Sequence, residues 1–390
     1  MKFFRKNQNT NEYIDSIFPV VNAAKADKDE NAINGTAGCL CGEDGKLFTY
    51  KTVFESEANI DITKKAGYAS SPSGNKDFVD AICKYVLEDR VKSPYAAIAT
   101  SGGTGALYTA ASLFTQAGQK VVYPEIAWGN YNVIAQENNL VPLKYNVYDL
   151  NDLFNKIDMC DDKVVLVINS PCENPLGHSY TNEDWNKIFD KLNNLNKEVV
   201  LLIDNAYMDY AYTNPKEFFE NFNHLNDNVL VLIAVSCSKS FSFYGYRLGA
   251  LIGINNDENF IKSFENLASR LARTTWSNVN NSAMLTIADV LNNHFEAYIK
   301  ERNISVEMLR QRTNLFIEQA KQVNLETYPY SEGFFVTLKI EDTNKRDEIH
   351  RRLMDNHIYT IKVNKGIRIG LCSIPLKKID GLASKIKELM

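Results

Sequence analysis

The stretch SCSKSFSFYGYRLGALIG, residues 236–253, places one lysine, Lys239, among serines and ahead of Arg247. A lysine buried behind an apolar strand gives up its proton more easily, and the free amine can attack a carbonyl. Ser236 precedes it by three residues, and the planar fork of Arg247 suits a phosphate. Three other loops offer complementary chemistry. In SGGTGALY, residues 101–108, glycines and unpaired helix N–H groups can cradle an anion. It lacks the third glycine of a dinucleotide fingerprint and the Gly-Lys-Ser/Thr of a nucleotide P-loop, and taken alone an ordinary glycine-rich turn explains it equally well. In INSPCENPLGHSY, residues 168–180, Asn174 can donate its amide to a ligand oxygen, although turn formation is the plainer account. VVLLIDNAYMDY, residues 199–210, ends an apolar run on Asp204, a carboxylate that is costly to bury without a cation or several donors. Capping of the next segment is the alternative. Tyr207 falls on the same side if a helical turn follows.

These side chains need a common platform, and the chain between about 95 and 255 supplies one. Seven short apolar runs, YAAIAT, KVVYP, LVPLKY, KVVLVIN, EVVLLID, NVLVLIAVS and RLGALIGI, are separated in many places by helix-like segments such as TNEDWNKIFDKLNNLN. Continuous apolar strands alternating with helices predict a mostly parallel sheet covered on both faces. Ligands of such sheets bind beyond the carboxyl ends of the strands, where the four loops fall. After residue 256 long helical segments lead to strand-like GFFVTLKI, a polar helix around NKRDEIHRRLMDN, strands near IYTIKV and IRIGLC, and a final helix. That texture predicts a smaller α+β domain, joined by the N-terminal 45 or so residues.

A phosphate cradle, an oxygen-binding Asn, a carboxylate wanting a cation and a lysine wanting a carbonyl match the four functional groups of pyridoxal 5′-phosphate. The lysine stretch resembles the Ser-x-x-Lys-x-x-x-x-Tyr-Gly-x-Arg-x-Gly motif of the class I, fold-type I aminotransferases, the aspartate and aromatic aminotransferase relatives. Here it is Ser236, Lys239, Tyr244, Gly245, Arg247 and Gly249. The resemblance extends over nearly the whole length and implies a three-layer α/β/α large domain with a seven-stranded sheet, residues 47–280. The smaller domain would comprise 1–46 and 281–390.

By that resemblance Lys239 bonds the cofactor aldehyde, and Ser236, Arg247, Gly103 and Thr104 hold the phosphate. Asn174 and Tyr207 meet the phenolic oxygen, Asp204 the ring nitrogen, and Trp128 of YPEIAWGNY the ring face. Many relatives have histidine where this chain has Tyr131, so a tuning group is missing or replaced. Tyr68 of GYASSPSG is implied to reach the phosphate of a neighbouring subunit, hence a homodimer with shared active sites. Gly38 matches a glycine near the substrate, and Arg368 of KGIRIGLC the arginine that clamps the substrate α-carboxylate. Aspartate-using relatives carry an arginine after a Trp-Ser-Asn segment, here Trp276, Ser277 and Asn278. The family spacing reaches Leu285, with Arg270 and Arg273 nearby. The expectation is an aminotransferase acting on an aromatic or other apolar L-amino acid and a 2-keto acid.

Composition is compatible with this and excludes little else. The chain has 390 residues, 45% apolar and 23% charged, with 43 basic and 48 acidic side chains and a net charge of −5. Without a like-charge block, nothing points to nucleic acid or an anionic membrane. The opening MKFFRKNQNTNEYIDSIFPVV is interrupted by Asp15 and Ser16, so no signal-peptide core is expected. Seven irregularly spaced cysteines suit a reducing cytoplasm. Cys39 and Cys41 are too close for zinc-type spacing, and no metal is expected. Two alternatives use the same residues: a related lyase catalysing β-elimination, and a ligand-sensing module without catalysis. Sensors of that kind append a DNA-binding region, which the residues ahead of the matched segment do not resemble.

Overall fold

All seven apolar runs become strands of one sheet in the computed structural model, which describes residues 17–390. The opening segment 1–16, read above for a signal peptide and placed in the smaller domain, lies outside the described residues. The strands are β1 (Tyr95–Thr100), β2 (Lys120–Pro124), β3 (Val141–Tyr145), β4 (Lys163–Asn169), β5 (Glu198–Asp204), β6 (Val229–Ser236) and β7 (Gly249–Ile254). Their spatial order is β1-β7-β6-β5-β4-β2-β3. Only β7 runs against its neighbours. The carboxyl ends of the other six therefore share one edge.

Side-chain alternation explains why the sheet is covered twice. Val164, Leu166, Ile168, Leu201, Ile203, Val231 and Ile233 point into one apolar core. Their chain neighbours Val165, Val167, Leu202, Leu230 and Leu232 point into a second core on the opposite face. Successive side chains of a strand face opposite ways, so a run that is apolar at every position is stable only between two helical layers. The helix Gly102–Phe114 sends Ala106, Leu107 and Ala110 into the second core. Asn182–Asn193, on the other face, opens with a capping box from Thr181 and Asp184, an N-terminal device worth about 1 kcal/mol.

The C-terminal part forms a three-stranded antiparallel sheet from β8 (Phe335–Lys339), β9 (Ile361–Val363) and β10 (Gly366–Gly370), with β10 central. The N-terminal segment joins it: Ile33–Asn34 pairs in parallel with Ile358–Tyr359. The expected break at 280/281 falls at the start of the helix Asn281–Asn293. Met284, Ile287 and Val290 of that helix lie in the core of the large sheet. The next helix, Phe295–Gln322, buries Tyr298 in the large core and Phe316 and Ala320 in the small one. We propose that the two units divide along this helix. No helix among the described residues is long and apolar enough to cross a membrane.

Candidate active site

Strand register sets the frame. Asn169 at the end of β4 pairs with Asp204 at the end of β5, which pairs with Ala234 of β6. Two residues beyond Ala234 the chain leaves the sheet at Ser236 and turns through the four-residue helix Cys237–Ser240, which carries Lys239. Lys239 Nζ donates a 2.9 Å hydrogen bond to Gly38 O, 201 positions away in sequence. The amine lies 4.7 Å from the centre of the Tyr244 ring and 5.9 Å from that of Tyr207. Burial lowers its pKa, and the Arg247 and Arg368 charges lower it further, against an opposing effect of the Cys39 and Cys372 thiols. The neutral, nucleophilic amine is thereby favoured.

Asp204 is 5% exposed. Its Oδ2 accepts a 2.7 Å hydrogen bond from the Tyr131 hydroxyl, and Oδ1 accepts the Ala206 N–H at 3.2 Å. Burial raises its pKa from 3.8 to about 6, with these two donors and the Lys239 charge pulling the other way. Asp204 forms no ion pair among the described residues. A cationic N–H is the group this carboxylate calls for, and a protonated pyridine nitrogen fits. The Tyr131 hydroxyl is thus a donor to Asp204, and burial beside this carboxylate keeps it protonated.

Asn174 Nδ2 lies 3.4 Å from the Tyr207 hydroxyl, while its Oδ1 accepts from Arg368 NH1 at 3.2 Å. Arg368, 5% exposed, also donates from NH2 to Thr36 O at 2.8 Å and covers the Phe335 ring at 4.3 Å. Its Nε is buried without a partner, and it forms no ion pair among the described residues. An isolated buried cation is expensive, so an anion belongs beside it. A substrate carboxylate answers that need.

The phosphate cradle is assembled by close packing. Gly102 has φ +71°, and a Cβ there would come within 2.5 Å of Arg247 NH2. Only glycine lets the guanidinium lie against the start of the helix Gly102–Phe114. Gly103 packs against Ser236, whose Cβ would stand 3.0 Å from a Cβ on the glycine. Thr104 follows in the first turn of the helix. Arg247 NH1 is fixed by donating to Ser238 Oγ at 3.1 Å and Tyr244 O at 3.0 Å. Helix N–H groups, a serine and an aimed arginine fit a phosphate dianion.

Gly38 adjoins both the lysine and the Phe335 ring, 3.3 Å from where its Cβ would be. Trp128 stands edge-to-face with Tyr131 at 5.8 Å. Tyr68 is 90% exposed and is not brought to this chain's own cradle. Sequence reading gave no role to Tyr244 or Phe335, although Tyr244 stood in the quoted motif. Its hydroxyl accepts the Leu40 N–H at 3.0 Å, tying the Gly38 segment to the lysine turn. Glu173 was missed as well. It is buried beside Asn174, and burial raises its pKa well above the usual carboxylate range.

Comparison with known proteins agrees with this geometry. The family described as "Aminotransferase class I and II" matches residues 30–386. The tyrosine aminotransferase of Rhizobium meliloti is 23% identical over 273 residues, 67% of this chain and 69% of that protein. The mitochondrial aspartate aminotransferase of Gallus gallus is 22% identical over 396 residues, 96% of this chain and 92% of its own. A crystal structure of an aminotransferase from Anaerococcus prevotii superposes with a TM-score of 0.95 at 28% identity, covering 100% of this chain and 99% of that one. An aromatic-amino-acid aminotransferase from Burkholderia pseudomallei, covalently bound to pyridoxal phosphate, superposes with a TM-score of 0.79 at 21% identity, covering 97% and 98%. The chain belongs to the class I and II aminotransferase family and is a pyridoxal-phosphate-dependent transaminase.

Proposed function

We propose that this transaminase takes its amino group from an aromatic or other apolar L-amino acid rather than from aspartate, and works as a homodimer with shared active sites. The bound pyridoxal phosphate supplies an aldehyde that captures the amine and a ring that accepts the electrons of the broken Cα–H bond. The chain's own residues do the rest. Gly103, Thr104, Ser236 and Arg247 bind the phosphate, and Asn174 and Tyr207 orient the ring through its phenolic oxygen. Trp128 covers one ring face. Asp204, ordered by Tyr131, holds a proton at the ring nitrogen. Arg368 fixes the substrate α-carboxylate, which sets the direction of the Cα–H bond. Lys239 Nζ, favoured as the neutral amine, takes the α-proton as general base.

One observation carries the substrate assignment. Leu285, where the family spacing puts an arginine for a distal carboxylate, is a half-buried residue of the helix Asn281–Asn293. Arg270 and Arg273 are exposed, and Arg273 NH1 is engaged with Ser277 Oγ at 2.6 Å. A leucine leaves a buried carboxylate without a partner, a cost of several kcal/mol. We expect kcat/KM for phenylalanine, tyrosine or leucine to exceed that for aspartate, measured with a common keto acid. Aspartate ranking first would refute the assignment. Ammonia or thiol release without a keto acid would instead mark a lyase.

The dimer reading rests on the exposure of Tyr68 and on the family resemblance. Lys239→Ala and Tyr68→Phe subunits, mixed after reversible dissociation, are expected to regain activity above that of the two variants assayed apart. Each mixed dimer contains one site free of both changes. An active monomer in sedimentation would rule this out.

A further inference from the structure

The helix that carries Lys239 is only four residues long, and past its end Lys239 O accepts the Ser242 N–H at 3.2 Å. Two tyrosine hydroxyls from elsewhere in the chain also reach the last carbonyls of this turn. Tyr210, on the 3-10 turn Met208–Tyr210, donates to Lys239 O at 3.2 Å. Tyr298, near the start of Phe295–Gln322, donates to Ser240 O at 2.7 Å. Both rings are fully buried.

Each hydroxyl also adjoins further polar groups. A carbonyl only accepts, and a hydroxyl has one proton to give. With the Tyr210 proton on Lys239 O, its oxygen lies 2.9 Å from the Tyr50 hydroxyl, which lies 2.8 Å from Ser305 Oγ; Ser305 gives its own proton to Arg302 O at 2.7 Å. With the Tyr298 proton on Ser240 O, its oxygen faces Tyr85 at 3.3 Å. The Tyr85 proton goes to Asp209, which pairs with Arg302 at 3.2 Å. Ser305, Tyr298 and Arg302 all belong to the helix Phe295–Gln322. About two turns beyond Ser305, fully buried Arg312 of this helix donates to Cys41 O at 2.8 Å and Cys372 O at 2.9 Å. Those carbonyls border the Gly38 segment and the strand that bears Arg368.

We propose that Tyr210 and Tyr298 are positioning residues: they anchor the Lys239 turn to the helix Phe295–Gln322, which also anchors the substrate-side segments, and so fix the reach of the lysine amine relative to the substrate carboxylate site. This rests on the reading of Lys239 as the residue bonded to the cofactor. The helix acts as a common ruler for the two groups whose spacing decides whether the α-proton is reachable. Loss of a hydroxyl leaves the ring packing in place but removes one side-chain tie on the lysine turn, Lys239 O keeping only main-chain partners.

The test is Tyr210→Phe and Tyr298→Phe, each in the holoenzyme. We expect kcat to fall at least tenfold in each, since misplacement of a reacting group by about 1 Å costs on the order of a hundredfold. KM for the amino acid stays within twofold, because Arg368 is untouched. The pH midpoint of the lysine–cofactor absorbance band moves, which a merely structural loss would not cause. Wild-type kcat and an unmoved midpoint in the variants, with the band present, would overturn the proposal alone. Absence of the band in wild-type enzyme would overturn the assignment of Lys239, and this proposal with it. Each variant is judged separately, so a failure of one to fold leaves the other decisive.

Discussion

Lys239→Ala is expected to abolish transamination while leaving the fold intact. Two roles vanish together, the bond to the cofactor and the base that moves the α-proton. A positioned general base alone contributes up to about 10⁴-fold, so kcat should fall by at least that factor. The structural cost is small. Lys239 Nζ gives up one hydrogen bond to Gly38 O. Alanine suits the helical turn, and the carbonyls held by Tyr210 and Tyr298 are main-chain groups that stay in place. The purified variant should lack the absorbance band that borohydride removes from the wild type, and its melting temperature should change by only a few degrees. Turnover at the wild-type rate would refute the role of Lys239.

Asp204→Ala is expected to retain cofactor but to lose about 10²–10³-fold in kcat, the usual worth of one preorganised group facing developing charge. The phosphate cradle is untouched by the change, whereas the ring nitrogen loses its counter-charge. An unchanged kcat would contradict this. The same carboxylate predicts a pH effect in cofactor-free protein. Burial raises its pKa from 3.8 to about 6, so between these values the folded state binds more protons than the unfolded chain. The group's contribution to stability is thus fullest below pH 3.8 and is lost as pH rises through 6. At about 1.4 kcal/mol for each pH unit between the two values, the loss is on the order of 3 kcal/mol. Asp204→Asn should therefore raise the melting temperature of cofactor-free protein at pH 8 more than at pH 4. Tyr131→Phe should shift the loss to higher pH, because it removes a donor that favours the charged form. Equal effects of Asp204→Asn at both pH values would show that Asp204 titrates normally.

Much of the architecture was legible in the residue pattern because it depends on local periodicity. Seven mostly apolar runs alternating with helix-like segments suit a sheet covered on both faces, and all seven lie in one sheet, the edge strand β3 being the one left largely exposed. Parallel strands put their carboxyl ends on one edge, so the loops bearing Asn174, Asp204 and Lys239 had to meet there. The family motif went further than periodicity could, implying a role for Arg368 that its own surroundings in sequence do not reveal. Other features exist only through packing between distant segments. Tyr131 meets Asp204 across 73 positions, and Arg368 meets Asn174 across 194. Nothing in the spacing of a single tyrosine distinguishes a hydroxyl aimed at a carboxylate from one buried in a core. Beyond the expected 280/281 break, Met284 and Ile287 pack in the large core, because a change of texture marks where helices begin and not which core they cover. The anchoring of the lysine turn by Tyr210 and Tyr298 is likewise tertiary: only the fold determines which distant side chains reach its carbonyls.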